Sequence, residues 1–372
     1  MTKTGNNSEF EACKVSTLLQ KLYCDSTLSS QNRLTTGYKY MDRLIDGLPS
    51  GLVVIAGRTS MGRTSLALNM AYRQSVYAKI PVAFISQRFT ERIYLDRLQA
   101  LATNAPVEKV RWDFTDIKDK DAIRELFEAP LYLIVQKYLN YKAILECVER
   151  VVNEKQVKVV YINNFQTIVS DTMYPAMTVD SLIDTSALLS YELRKLAHKL
   201  GITIIAISDI VSESNDTDSD ISARDTHWPS LDDFDCEGLV NSANVVLLIH
   251  RPEFYKDCCF YYSPNIRNIM FVNAAKNVSG PTGTIALHFD HKSLVITQPH
   301  MTEEEFHQLE RDIMIPLPNA GDDLDDLVPE YEGQEKEEIK AWHRAQDLIM
   351  EMSSKSDDIK RLVEKLGLEP DN

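Results

Sequence analysis

The sequence of 372 residues lacks several features that mark membrane, secreted and metal-binding proteins. No apolar run approaches the roughly 20 residues that span a bilayer, and no secretory signal pattern opens the chain. The six cysteines form no C-x-x-C pair and have no histidine-rich partner segment, which argues against a zinc site or a disulfide framework. We therefore expect a soluble, cytoplasmic protein that has no zinc and makes no contact with a membrane.

Basic residues are scarce relative to acidic ones, and the charge is unevenly placed. The formal net charge is −15. Residues 301–372 hold 21 acidic and 8 basic side chains, so this segment carries −13 and residues 1–300 carry only −2. The chain therefore has a nearly neutral body and a strongly acidic tail, without a run of Lys or Arg for binding the phosphates of DNA.

What the sequence does contain is a regular alternation of short apolar runs with helical patterns. Strands separated by helices of about ten or more residues predict an α/β protein with a mostly parallel, twisted sheet covered by helices on both faces. The last two runs are joined by a Ser-Gly-Pro-Thr-Gly segment that predicts a hairpin turn. The eight predicted strands are residues 52–56, 81–86, 131–135, 158–163, 202–208, 245–250, 268–273 and 284–289.

The two ends of the chain differ from this central pattern. Apolar residues at helical spacing predict a short helix over 10–24, followed by a polar connector. Beyond residue 300, an acidic stretch at 321–338 precedes further helical patterns. The predicted domains are a linker-type helix and connector (1–33), an α/β domain (34–300) and an acidic, partly helical tail (301–372).

The first predicted strand leads into a phosphate-loop pattern with one substitution. The pattern G-x-x-x-x-G-K-[ST] turns backbone N–H groups toward phosphate oxygens, places an ammonium at the β- and γ-phosphates and offers a hydroxyl to Mg²⁺. Arginine replaces the lysine, and its planar guanidinium reaches phosphates with a different geometry. The alternative is an unrelated glycine turn. The candidate phosphate-binding residues are Gly57, Thr59, Ser60, Met61, Gly62, Arg63, Thr64 and Ser65, with Thr64 as a weak metal ligand.

Several segments, in the same order, resemble the C-terminal motor domain of DnaB-type replicative helicases, a RecA-like P-loop NTPase fold. The Ser-Met-Gly core of the phosphate loop is similar to the family's A-R-P-S-M-G-K-T-[ST] sequence. An ordered series of matches specifies a fold more strongly than any single loop. The resemblance extends over about residues 34–297, without the family's N-terminal domain, and its blocks are residues 36–48, 57–65, 82–89, 159–166, 204–210, 231–251 and 275–284.

The resemblance implies ATP and Mg²⁺ as ligands, but the positions that carry hydrolysis in the family are substituted. Arg88 stands where the family has the glutamate that polarises the attacking water. Asn163 replaces the aspartate that anchors Mg²⁺, and Asp209 replaces the glutamine that senses the γ-phosphate. Of the two residues that the family supplies to a neighbouring subunit, Lys276 is present and Val278 replaces the arginine. We therefore expect weakened binding of ATP and Mg²⁺ and no intact catalytic residue.

Each substitution has an alternative interpretation. Arg88 is a surface ion-pair residue if the alignment shifts by one position, which leaves Gln87 or Glu91 nearby. Asn163 and Asn164 are turn residues at a strand end, the more frequent role of asparagine. The joint pattern, in which the substitutions fall on hydrolysis positions inside matching segments, favours a degenerate site.

The segment that aligns with the family's DNA-binding loops is acidic. Residues 211–237 hold nine carboxylates against one arginine, Arg224, and Phe234 stands at a family arginine. Because grooves that bind single strands need positive potential, we expect weak or no binding of single-stranded DNA. A solvated acidic loop on the outside of the domain is the alternative.

The resemblance implies that the partners are ring subunits, either further copies of this chain or subunits of a DnaB-type helicase. The predicted N-terminal helix resembles the linker that packs on a neighbouring subunit in the family, and packing on its own domain is the alternative. The acidic tail has no counterpart in the family. Its helical part, residues 339–366, is predicted either to cap the domain or to dock on a partner as a helix in a groove.

The favoured hypothesis is a DnaB-like protein of a replication assembly that does not hydrolyse ATP and acts structurally or as a regulator. The first alternative is an active ATP-dependent helicase that translocates 5'-3' as a ring. It requires Glu91 or another carboxylate as the base and an arginine finger from a partner. The second alternative is an adaptor that binds no nucleotide.

Overall fold

Runs rich in Val, Ile and Leu form one central sheet in the computed structural model, which describes Val15 and residues 33–112, 120–173, 179–210, 228–234, 237–254 and 268–299. Branched side chains favour the extended backbone because they pack well on a pleated surface. Within the described residues the nine strands are β1 (Gly51–Gly57), β2 (Val82–Ser86), β3 (Leu131–Val135), β4 (Val159–Asn163), β5 (Thr203–Asp209), β6 (Val245–His250), β7 (Ile269–Asn277), β8 (Gly283–Phe289) and β9 (Ile296–Thr297).

The sheet is parallel over most of its width. The strands lie in the order β3-β2-β4-β5-β1-β6-β7-β8-β9. The first six in this order are parallel, and β7, β8 and β9 each run antiparallel to the preceding neighbour. The predicted α/β class with a mostly parallel sheet is therefore confirmed, as are all eight predicted strands and the hairpin between β7 and β8. The ninth strand, β9, has two residues, too few to carry a sequence pattern.

Helices connect the parallel strands, and their ends follow local sequence signals. The helix between β3 and β4 begins after Asn140, whose side chain accepts a hydrogen bond from the Ala143 N–H at 3.0 Å. It ends at Gln156, which has a left-handed conformation with φ of 55°. The helices in the described residues are α1 (Lys39–Ile45), α2 (Arg63–Tyr72, continued by a π-helical turn, Arg73–Tyr77), α3 (Glu91–Thr103), α4 (Val107–Trp112), α5 (Lys120–Glu128), α6 (Tyr141–Lys155), α7 (Phe165–Met173), α8 (Val179–Leu200) and α9 (Glu237–Ser242).

Both faces of the sheet are covered by helices. Successive side chains of a strand point to opposite faces, so a parallel sheet buried on both sides needs two apolar cores. In β1, Val53 and Ile55 pack in one core with side chains of α1, α2 and α3. Leu52, Val54 and Ala56 pack in the other core with side chains of α6, α7 and α8. The predicted cover on both faces is confirmed.

The strand register brings distant segments together at one edge of the sheet. Gly57, the last residue of β1, is in register with Asp209, the last residue of β5. Ser86 at the end of β2 is in register with Asn163 at the end of β4. Because open α/β sheets bind ligands at the carboxyl ends of their strands, this edge is the candidate functional site.

Some predictions concern residues outside the described ranges. These are the helix over 10–24, of which only Val15 is described, most of the acidic segment 211–237, and the tail, 301–372. They stay predictions. Among the described residues, none of the helices has both the length and the apolar character needed to cross a membrane.

Candidate functional site

The turn after β1 has the geometry of a phosphate loop at the start of a helix. Ser60 and Gly62 have positive φ angles of 67° and 94°. A Cβ on Gly62 would lie 2.7 Å from Met270 Cε, the movable end of a side chain, so it is the backbone conformation that favours glycine there. Thr59 and Ser60 are exposed, whereas Met61 is buried in the core. No side chain caps α2, and its first turn has no acidic residue. The N–H groups of this helix terminus are therefore suited to an anion.

The guanidinium of Arg63 is held by the end of β5. Its Nη1 donates to the Ser208 carbonyl, and its Nη2 forms an ion pair with Asp209 Oδ1. The Arg63 side chain is 5% exposed and that of Asp209 is 34% exposed. The sequence predicts that Arg63 reaches the phosphates, and the resemblance places Asp209, separately, at the γ-phosphate sensor. The structure instead pairs the two substituted residues with each other, because β1 and β5 are neighbours in the sheet.

Asp209 is fixed in place by several partners. Burial favours its neutral form, but the hydrogen bond and charge of Arg63 outweigh this effect and lower the pKa of Asp209. Asn164 Nδ2 donates to the second carboxylate oxygen at 2.5 Å. Gln166 donates to the Asp209 carbonyl at 2.8 Å and accepts from the Asp209 N–H at 3.0 Å. The carboxylate is therefore ionised and already bound within the protein.

We expect the Arg63–Asp209 pair to make stability depend on pH. The folded-state pKa of Asp209 lies below its unfolded value, about 3.9. The stabilisation is therefore present above the unfolded value and is lost as the pH falls through the folded-state pKa. Urea unfolding from about pH 7 downward should show a steeper acid loss for the wild-type protein than for Asp209→Asn. Equal acid slopes would contradict the assignment.

Asn163 belongs to a buried chain of hydrogen bonds. Its Nδ2 donates to Tyr94 Oη at 2.8 Å, and that phenol lies 2.5 Å from Ser86 Oγ. On the other side, Thr64 Oγ1 donates to Asn163 Oδ1 at 3.5 Å. Asn163 and Tyr94 are almost fully buried, and burial raises the pKa of Tyr94, so its hydroxyl stays protonated. Sequence reasoning missed Tyr94, because a tyrosine on the apolar face of α3 gives no signal of its own.

This edge of the sheet fits a phosphate group better than a magnesium ion. Mg²⁺ takes oxygen ligands in a near-octahedral shell, normally with carboxylates among them. Thr64 has the amide of Asn163 as its partner, and Asp209 is bound to Arg63. Within the ranges that the structure describes, no group of three His, Cys, Asp or Glu side chains is placed to hold a metal ion. Thr64, the predicted weak metal ligand, thus lacks the carboxylate that the site would need.

A cavity of about 350 Å³ lies over the N-terminus of α2. Four arginines and no carboxylate are among its lining residues. Sequence reasoning identified two of the arginines, Arg63 and Arg88. It missed Arg97 on α3 and Arg251, although Arg251 directly follows β6 and its position at a strand end is a usable signal. The guanidinium of Arg251 pairs with Glu253 and lies 4.4 Å from the centre of a phenylalanine ring.

Gln87 and Glu91, the alternatives to Arg88, do not line the cavity. Gln87 Nε2 donates to Asp171 at 2.8 Å and to the Leu139 carbonyl at 3.2 Å. Glu91 is exposed in the first turn of α3 and is not among the cavity's lining residues. Arg88 is exposed and does line the cavity. The positively charged side chain of Arg88 therefore faces the cavity at the position where the resemblance implies that the catalytic base is missing.

Lys276 lies apart from this cavity, on β7. Its Nζ donates to the carbonyls of Val240 and Asn241, at 2.7 and 3.2 Å, near the end of α9. Burial lowers the pKa of Lys276, and the charge of Arg194 lowers it further. Val278, one residue beyond β7, is 65% exposed. The structure thus brings the phosphate loop, Asn163 and Asp209 to one edge and places Lys276 away from it.

A phosphate loop at the carboxyl edge of a largely parallel sheet is typical of P-loop proteins with an α/β fold. Comparison with protein families identifies the member of this class: the DnaB-like helicase C terminal domain matches residues 33–297. The chain belongs to this family.

Curated relatives are replicative helicases. The replicative DNA helicase DnaB of Treponema pallidum (strain Nichols) is 25% identical over 262 residues, which cover 69% of this chain and 54% of that protein. A probable replicative DNA helicase of Trieres chinensis is 28% identical over 271 residues, covering 69% and 55%. The chain therefore spans about half the length of the curated relatives it matches.

Solved structures show the same fold. One of them, an ATPase domain, is 22% identical, has a TM-score of 0.63, and covers 78% of this chain and 100% of that one. A DnaB-like replicative helicase, described with its interactions with primase, is 21% identical with a TM-score of 0.62 and covers 79% and 69%.

Proposed function

We propose that this chain is a DnaB-helicase-like protein of a DNA replication assembly that binds ATP weakly, does not hydrolyse it, and acts structurally or as a regulator. The ion pair between Arg63 and Asp209 carries the proposal. A phosphate loop needs a free cation that reaches the β- and γ-phosphates. Here that charge is bound to a carboxylate at the end of the neighbouring strand.

The surrounding positions support the same conclusion. Hydrolysis needs a group that orients the attacking water and a metal that neutralises charge on the phosphates. Arg88 carries a positive charge and cannot accept a proton from water at neutral pH. Asn163 offers a neutral amide already bonded to Tyr94. The site therefore keeps the loop and the helix terminus that can hold a phosphate, but its loop cation is paired with Asp209 and the groups for cleavage are replaced.

The proposed assembly consists of ring subunits, either further copies of this chain or subunits of a DnaB-type helicase. The test is to mix the purified chain with an intact DnaB-type helicase and to measure ATP hydrolysis and strand separation as its fraction rises. An inactive subunit that enters the rings should reduce both activities more steeply than simple dilution, with serum albumin as the control. Activities that follow dilution, together with no binding of nucleotide, would favour an adaptor.

We further expect the 372-residue chain to bind single-stranded DNA weakly at physiological salt, because it has no Lys/Arg-rich run to release counterions. Fluorescence anisotropy with a labelled oligonucleotide measures this. If the acidic segment 211–237 is what prevents DNA binding, deleting residues 321–372 should leave the affinity for the oligonucleotide unchanged. Tight binding that weakens steeply between about 50 and 200 mM salt would contradict the expectation and favour an active helicase.

A further inference from the structure

The cavity over α2 holds more positive charge than the carboxylates of the described residues neutralise. Two of its four arginines, Arg63 and Arg251, form ion pairs with carboxylates. The other two, Arg88 and Arg97, form no ion pair with a carboxylate of the described residues. The charge of Arg88 also helps to lower the pKa of Asp209, but that carboxylate is already paired with Arg63. The excess is therefore about two charges, the same number that a divalent metal ion would bring.

These two guanidiniums converge on one aromatic ring. Their central carbons lie 5.5 Å and 4.9 Å from the centre of the Phe89 ring, for Arg88 and Arg97 respectively. The pKa of Arg97 is lowered, first by burial and also by the charge of Arg88, against an opposing effect of Tyr94. Two like charges held together in a partly buried place favour an anion between them.

The first turn of α2 lines the same cavity. Gly62, Thr64 and Ser65 are lining residues, and no side chain caps the helix. Helix-terminal N–H groups and two guanidiniums therefore face one space. Guanidiniums bind phosphate oxygens through paired hydrogen bonds, and helix termini bind phosphate through their N–H groups.

We propose that this cavity binds a polyphosphate chain, such as that of a nucleoside triphosphate, without a divalent metal ion. Arg88 and Arg97 supply the positive charge that Mg²⁺ supplies in ordinary phosphate-loop sites. The proposal rests on the proposed function for the location of the phosphate site and adds the form in which the ligand binds. It accounts together for the cation at position 88 and for the neutral amide at position 163.

The test is calorimetric titration of the 372-residue chain with ATP and, separately, with inorganic tripolyphosphate, in excess EDTA and in excess Mg²⁺. Binding in EDTA should be at least as tight as in Mg²⁺, because a metal on the phosphates repels the two guanidiniums. Binding of both probes would identify the phosphate chain as sufficient, and binding of ATP alone would show that the nucleoside is also needed. A strict requirement for Mg²⁺, or no binding of either probe, would overturn the proposal.

Variants identify the residues responsible. Arg88→Gln and Arg97→Gln should each weaken binding in EDTA by about 10- to 100-fold, the usual range for one charge-assisted contact. Arg124→Gln, on the exposed face of α5, is the matched control and should leave binding unchanged. Arg88 is exposed, so its variant tests the proposal even if Arg97→Gln unfolds. Unchanged binding in Arg88→Gln would overturn the proposal.

Hydrolysis of Mg²⁺-ATP would refute the proposed function without altering the binding measured in EDTA. Failure of the proposed function and failure of metal-free binding are therefore distinguishable.

Discussion

Hydrolysis of Mg²⁺-ATP by the purified protein is expected to be indistinguishable from background. An arginine finger is worth about 10³ to 10⁵ in rate, and the resemblance to the family implies that Val278 replaces it. The resemblance also implies that Arg88 and Asn163 replace the base and the metal-anchoring carboxylate. A steady rate above about 1 s⁻¹, the low end of ordinary turnover, that disappears in Thr64→Ala would falsify this expectation.

The structure also predicts which substitutions restore Mg²⁺-dependent binding of nucleotide. Arg63→Lys alone should not restore it, because the lysine ammonium is left beside the ionised Asp209. Arg63→Lys combined with Asp209→Gln, Arg88→Glu and Asn163→Asp removes that carboxylate and adds two others for metal and water. Nucleotide binding should then become dependent on Mg²⁺. A folded variant without this gain would show that the loop itself has diverged and would favour the adaptor.

Arg63→Met is expected to destabilise the protein by about 2–3 kcal/mol. Breaking a buried ion pair costs about 3–5 kcal/mol because one charge is left without its partner. We expect a loss below that range because Asp209 is 34% exposed and solvent screens part of its charge. The Ser208 carbonyl also loses the hydrogen bond that it accepts from the guanidinium. Urea unfolding of both proteins at neutral pH measures the difference.

A double-mutant cycle separates the free energy of the ion pair between Arg63 and Asp209 from that of packing the aliphatic part of Arg63. Arg63→Met with Asp209→Asn removes both charges, so the double variant should be more stable than the sum of the single losses predicts. The pair of Arg124 and Glu128 is the control, since both side chains are more than half exposed. Arg124→Met and Glu128→Gln should each reduce the free energy of unfolding by less than about 1 kcal/mol. Additive losses at Arg63 and Asp209 would show that the pair is not coupled.

Much of the fold was predictable from local pattern. Short runs of branched residues separated by helical periodicity specify a parallel sheet covered on both faces, because each such strand must bury two faces. The glycine-containing turn at 278–282 likewise predicts the hairpin between β7 and β8. Strand β9 escaped prediction because two residues carry no periodicity, and its place depends on the edge that β8 offers.

The sequence by itself determined the sheet, the phosphate loop and the family, because each is written in contiguous segments. Only the tertiary structure decided what the substituted residues do. Arg63 and Asp209 are 146 positions apart, and no local pattern links them. The register of β1 and β5 brings them into contact. Two changes that look like independent losses are therefore one partly buried ion pair. The positive charge that remains over the loop comes from Arg88, in the bend after β2, and from Arg97 on α3.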